Sequence, residues 1–362
     1  MICQEREEEF KFGNLWKSFL VSGPAMRLPS FMGFLLASGT NVRLDNLLHG
    51  KKSTDGLDER YATIAASQLK QQTNYEHWLT CQGSYPASLV EAAAELGLSL
   101  HLPSGTLDYA KDFELKRPKL CFDLIYVRHG KTAGNTEPRV FQGNVDEPSN
   151  ALNEVGRDQA EAAADLLDAQ IASGSTPMPD LVILSPLGRA YDTGMTFIRR
   201  HPELKKTTEI WPESSEMAFG AWDNELVQDI ADNSIAHLFY LKQNAVVRAD
   251  SPYNPATDPR RLEEGNDSPD APSGIVPAES FVQVFVRMNA VLWKINERMS
   301  SVDGLAPSLV LMYGHSMAGA ALSILTGNGK RVEGSTNPPC LGFDGKYIMP
   351  NAQPVVLHRA KH

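Results

Sequence analysis

The sequence predicts an α/β protein, a three-layer arrangement in which a mostly parallel sheet carries helices on both faces, with an N-terminal extension ahead of it. Three observations predict it. Short apolar runs recur at Leu124–Val127, Leu181–Leu184 and Leu309–Tyr313, with the length and β-branched content of buried strands. Amphipathic helical stripes separate them, and strand–helix alternation of this kind implies parallel pairing with helices on both faces. Two of the runs end in cationic or imidazole side chains, Arg128-His129 and His315, at the strand ends where open α/β sheets bind ligands.

The elements follow in chain order. The opening MICQEREEEF is acidic, which suits neither a secretory signal nor a mitochondrial presequence. Residues 28–39 are apolar but too short to span a bilayer, and residues 50–58 read as a loop. Pro86 to Leu98 predicts a helix with Leu89, Ala92, Ala93 and Leu96 on one face. Leu102-Pro103-Ser104-Gly105 then breaks the chain. No chemistry attaches to residues 1–118, which are expected to buttress the rest or to build a contact between two copies, a homodimer. The main domain is expected over 119–362.

Within it, residues 135–150 read as a polar loop, and Asn153 as the cap of a helix whose Ala160, Ala163, Ala164, Leu167 and Ile171 form one face. A helix through Arg189 and Tyr191 follows the second strand. Residues 224–243 are expected to be helical, and 250–277, rich in Pro, Asp, Asn and Ser, reads with them as an insertion at about 224–277 covering the site. A helix after Pro277-Ala278-Glu279-Ser280 carries Phe281, Val284, Phe285, Met288, Leu292 and Ile295 on one stripe. A strand, a helix from Ser316 and a last strand at Val355–His358 close the sheet.

Composition narrows the function. With 42% apolar and 22% charged residues the chain is globular, and a formal charge of −10 argues against a nucleic-acid surface, which needs clustered Lys and Arg. The four cysteines, Cys3, Cys81, Cys121 and Cys340, have no metal-ligand spacing and read as reduced thiols in a cytoplasmic protein. No metal, other cofactor, nucleic-acid or membrane partner is expected. Gly130-Lys131-Thr132 imitates the end of a phosphate-binding loop, but Ile125 stands where its first glycine is required.

Four separated segments occur in a fixed order: Arg128-His129-Gly130-Lys131-Thr132-Ala133-Gly134-Asn135, Ser185-Pro186-Leu187-Gly188-Arg189-Ala190-Tyr191-Asp192-Thr193, Glu216-Met217-Ala218-Phe219-Gly220-Ala221-Trp222, and Tyr313-Gly314-His315. The set resembles the histidine phosphatase superfamily, the relatives of phosphoglycerate mutase and fructose-2,6-bisphosphatase, over residues 120–358. The resemblance implies a phosphoglycerate mutase-like fold. It implies that His129 is the nucleophile, that Arg128, Arg189 and His315 surround the phosphoryl oxygens, and that Glu216 is the acid, with Glu213 the alternative if the register slips. These residue types suit phosphoryl transfer, which is mostly positioning and charge neutralisation. Asn135, Arg139, Gln142, Gly143 and Ser316 are expected to line the substrate site. Lys131 stands where the family commonly has Glu or Ser, and Ala278 where a Gly-Glu-Ser triplet would have glycine. Arg260 and Arg261 read as a solvated pair rather than a second anion site.

The implied activity is a metal-independent phosphomonoesterase acting on a small sugar or sugar-alcohol phosphate, such as mannitol 1-phosphate or a fructose bisphosphate. A mutase is the alternative, disfavoured because Glu216-Met217-Ala218-Phe219-Gly220-Ala221-Trp222 looks like the phosphatase branch. A different class is offered by Gly314-His315-Ser316-Met317-Ala318-Gly319, which imitates the nucleophile elbow of a serine hydrolase, with Asp344 and His358 available. Too little chain follows Ser316 for that fold. A non-catalytic phospholigand-binding protein is the third reading, disfavoured because each core position keeps its catalytic residue type.

Overall fold

A computed structural model describes residues 87–227, 235–248, 278–300, 308–334, 340–343 and 349–360. The expectations for residues 28–39, 50–58, 250–277, Arg260, Arg261 and Asp344 lie outside them.

The strands β3 (Phe122–Arg128), β4 (Leu181–Leu184), β5 (Thr208–Ile210), β6 (Ser308–Gly314) and β7 (Pro354–His358) form one sheet in the order β5-β4-β6-β3-β7. All neighbours are parallel except β7, which runs antiparallel along β3. The side-chain period of two sorts the strands' residues onto two faces. Ile125, Val127, Val182, Leu184, Leu311 and Tyr313 pack against Ala164, Leu167, Phe197 and Ile198 of helices α3 (Glu154–Ala172) and α4 (Gly188–Arg200). Leu124, Tyr126, Ile183, Val310 and Met312 face the other way, toward Phe285, Met288, Leu292, Ala321 and Leu325 of α6 (Phe281–Ser300) and α7 (Ser316–Leu325). Burying each such large side chain contributes roughly 1.5–3 kcal/mol.

Asn153 caps α3, its side-chain oxygen accepting from the Gly156 N–H at 2.8 Å. Just there the chain after β3 comes close. A Cβ at Gly156 would stand 1.9 Å from the Lys131 carbonyl oxygen, and one at Gly130 would stand 2.3 Å from that of Gly156. Both positions therefore need glycine so that backbone can pack on backbone.

The amino-terminal side differs from expectation in detail. The helix α1 spans Ala87–Glu95 and ends at Gly97, whose φ of +74° takes the chain out of the helix. Leu98 begins a strand instead: β1 (Leu98–His101) pairs with β2 (Thr106–Tyr109) as an antiparallel hairpin around the Leu102–Gly105 break. A short helix α2 (Phe113–Lys116) follows. Leu98, Leu107 and Phe113 belong to the same core cluster as Phe122 and Leu124. Of the helix expected over 224–243, the described helical part is α5 (Ile235–Tyr240); before it the chain turns at Asn224, whose φ is +63°, with Asp223 bridging to Phe141 and Leu226 to Val140 on either side. No described helix is long and apolar enough to cross a membrane.

Candidate active site

Sheet register brings the separated motifs together. Arg128 sits opposite Gly314 in the parallel β3–β6 pair, and the His129 N–H donates to the Gly314 carbonyl at 2.9 Å. The residues just past the two strand ends are thus neighbours, and the His129 and His315 rings lie with centroids 5.3 Å apart. On the other side of β6, the Ser185 N–H continues the ladder to Tyr313. Arg189 enters from the first turn of α4, and Glu216 from the irregular segment after β5.

Each imidazole is held by one nitrogen. His129 Nδ1 lies 2.8 Å from the Gly130 carbonyl. A carbonyl only accepts, so Nδ1 carries the proton and Nε2 keeps its lone pair. His315 Nε2 lies 2.7 Å from Ser185 Oγ, while its Nδ1 is buried without a partner among the described residues. Both rings are held well below the usual histidine range, by burial first and then by the nearby guanidinium charges of Arg189 and Arg128. They are neutral at physiological pH.

The guanidinium groups are fastened by their outer edges. Arg189 is fully buried and donates to the carbonyls of Gly143 at 2.7 Å and Val145 at 3.0 Å. Arg128 donates to the Met349 carbonyl at 2.9 Å. In each the Nε–H is buried and without a partner among the described residues. Burial lowers both, Arg128 to about 10, which leaves them charged at neutral pH. Two buried cations whose Nε–H groups, like the His315 Nδ1, have no partner among the described residues are strongly disposed toward an oxyanion.

Glu216 is buried beneath the start of α7. Its oxygens accept from the N–H groups of Met217, Ser316, Met317 and Ala318 at 2.9–3.2 Å and from the Ser316 hydroxyl at 2.8 Å. An anion suits a helix N-terminus, where donors lack intrahelical partners. Glu213 points elsewhere, pairing with Lys294 at 3.0 Å with its side chain about half exposed. The Ser316 hydroxyl is committed to Glu216, and the imidazole beside it is bonded to Ser185, so among the described residues Ser316 makes no hydroxyl–imidazole bond of the kind a serine nucleophile needs.

The remaining expected residues divide. Asn135 turns its oxygen to the Thr132 N–H at 2.9 Å and leaves its buried Nδ2 without a partner among the described residues. Gly143, at φ +47°, contributes the carbonyl that holds Arg189. Gln142 donates to Asn150 at 2.6 Å, and Asn150 in turn to Asn224 at 3.2 Å. Arg139 pairs with Glu137 at 2.9 Å and stands over the Tyr240 ring at 6.0 Å, yet it is close enough to Arg128 to act on its charge.

Sequence reasoning missed several supports. Ser185 lay inside a recognisable motif without a role. The Tyr126 hydroxyl accepts from the His315 N–H at 2.6 Å and donates to the His315 carbonyl at 2.8 Å. Asn351 donates to the His129 carbonyl at 2.8 Å, and Thr193 accepts from the Gly130 N–H at 3.0 Å. Asp223 has an oxygen buried against Gly143, without a partner among the described residues. Burial pushes its carboxyl up to about 8, so it holds a proton at neutral pH. Among the described residues no group of three or more His, Cys, Asp or Glu is placed to hold a metal ion.

The model of the histidine phosphatase superfamily (branch 1) matches residues 124–245. Over 316 residues the chain is 40% identical to mannitol-1-phosphatase of Eimeria tenella, a match covering 84% of this chain and 96% of that protein. So broad a match extends into the residues before 119. Solved structures that align include a mycobacterial glucosyl-3-phosphoglycerate phosphatase with VO3, at 25% identity over 57% of this chain and 80% of that one with a TM-score of 0.41. Phosphoglycerate mutase from Thermus thermophilus aligns at 18% identity over 65% and 91%, with a TM-score of 0.37. By sequence likeness across most of its length, the chain belongs to the histidine phosphatase superfamily and is a phosphoric monoester hydrolase.

Proposed function

We propose that this enzyme hydrolyses a sugar-alcohol phosphate, with mannitol 1-phosphate the first candidate, through a phosphohistidine at His129. The observation that carries the mechanism is the Nδ1 contact to Gly130, which leaves a neutral Nε2 lone pair beside two cations. In the first step Nε2 bonds to phosphorus as the bond to the ester oxygen breaks, and the departing alkoxide takes a proton from Glu216. In the second, water attacks the phosphohistidine, Glu216 takes back a proton, and inorganic phosphate leaves with His129 restored. Arg128, Arg189 and the His315 Nδ1 proton hold the phosphoryl oxygens throughout, with Ser185 donating to Nε2 to fix that tautomer. To carry its proton, Glu216 gives up one accepted bond, and the Ser316 hydroxyl turns from donor to acceptor.

The substrate class rests on the mannitol-1-phosphatase that this chain resembles along nearly its whole length. Asn135, Arg139, Gln142 and Gly143 would bound the polyol end. The test is phosphate release from a panel of polyol and sugar phosphates in EDTA, comparing the wild type with His129→Ala. Release that survives EDTA, is fastest on mannitol 1-phosphate and disappears in His129→Ala is the expected result. Turnover persisting in His129→Ala would remove the phosphohistidine, and a better sugar phosphate would replace the substrate.

A further inference from the structure

Glu216 lies in a stretch, residues 212–218, that has left the sheet and whose backbone groups must find partners elsewhere. Many of them find the same pair of side chains. Arg287, two turns into α6, donates from Nη1 to the carbonyls of Glu213 at 2.8 Å and Ser215 at 2.9 Å, and from Nη2 to that of Glu216 at 3.4 Å. The rest of its fork grips Glu279 in a bidentate pair, Nε to Oε1 at 2.8 Å and Nη2 to Oε2 at 2.9 Å. Glu279 Oε2 also accepts from the Ala218 N–H at 2.9 Å, and the Glu279 N–H donates to the Ala218 carbonyl at 2.9 Å. Both side chains are 21% exposed, so the pair is shielded more than an ordinary surface bridge.

We propose that Glu279 and Arg287 are positioning residues for Glu216: their ion pair grips the backbone on both sides of it and sets where its carboxyl stands over the leaving oxygen. The inference rests on reading Glu216 as the acid. A surface pair would contribute little, and a pair serving stability alone would not need to reach carbonyls on three residues of one loop. Arginine is required because only its planar fork serves a carboxylate and several carbonyls at once.

Misplacing an acid matters only when the leaving group needs a proton. The experiment therefore compares kcat and KM for mannitol 1-phosphate, a poor leaving group, and p-nitrophenyl phosphate, a good one, in Glu279→Gln, Arg287→Lys and Glu216→Gln, each checked by thermal melting. Displacement of about 1 Å costs roughly 10²-fold in rate. We expect Glu279→Gln and Arg287→Lys to lower kcat on the polyol ester by roughly 10- to 100-fold, with KM nearly unchanged and the aryl ester affected several-fold less. Should Glu279→Gln not fold, Arg287→Lys, which keeps the charge, carries the same comparison. Equal loss on both esters, or none, with Glu216→Gln still selective, would overturn the positioning role. A Glu216→Gln variant that slows both esters alike would instead overturn the acid reading, and this inference with it.

Discussion

Gly156→Ala would put a methyl carbon 1.9 Å from the Lys131 carbonyl oxygen, which would have to retreat about 1.5 Å to reach ordinary contact. That oxygen is backbone and already accepts the Asn153 N–H at 3.0 Å, so it has no soft way to yield. Helix propensity alone favours this substitution, by up to about 1 kcal/mol in a helix interior. Overpacking of backbone on backbone opposes it, at roughly 1–3 kcal/mol, and overpacking is expected to win. The displaced peptide is joined through the Lys131 Cα to the preceding one, whose Gly130 carbonyl holds His129 Nδ1. A shift of that size passed to the nucleophile predicts about 10²-fold lower kcat. Thermal unfolding and steady-state kinetics on p-nitrophenyl phosphate measure the two effects separately. A variant as stable as the wild type, or more so, and equally fast would refute the close approach of the two segments.

Three further expectations follow from the titrating groups and their partners. Because Asp223 is raised to about 8 in the folded protein, the stability it contributes is whole below its unfolded value near 4 and is lost as pH rises toward and through 8. Asp223→Asn should therefore flatten the fall in melting temperature between about pH 4 and 8, and an unchanged slope would place the carboxyl in water. His129 and His315 are lowered, so the nucleophile stays neutral on acidification and the acid limb of kcat/KM should not be a histidine limb at about 6.5. The same burial means both rings must charge on unfolding, which drains stability as pH falls below about 6.5. Ser185→Ala removes the partner of His315 Nε2 and should cost roughly 10-fold or more in kcat, read against an unchanged melting curve.

Much of the sheet was readable because the buried strands are continuous apolar runs. The bounds expected for β4, Leu181–Leu184, are those observed, and the stripe on α6 is buried at each of its six expected positions. The β1–β2 hairpin was not readable. Its strands are four residues each and carry Ser99, His101, Thr106 and Asp108, so the period-two signal never accumulates. β5 has three half-exposed residues at the sheet edge and owes its form to pairing with β4. In the site, the residues that would touch phosphate stood in recognisable segments, whereas their supports did not. Tyr126 reads as one more core aromatic until β6 places the His315 backbone against its hydroxyl. Asn351 and Met349 lie more than 200 residues beyond the groups they hold. Asp223 looks like an ordinary surface acid until Gly143 closes over it.

Tyr126 has an optical consequence. Its hydroxyl lies in the dry interior between the His315 N–H and carbonyl, and burial raises it far above the usual phenol range, as it does the fully buried Tyr313. Neither ring can become a phenolate while the sheet is intact. In an alkaline titration followed by ultraviolet difference absorbance, exposed tyrosines should ionise first and reversibly. The absorbance of these two should appear only when the strands separate. The chain thus carries its own chromophore for the integrity of the strand ends where its two histidines meet.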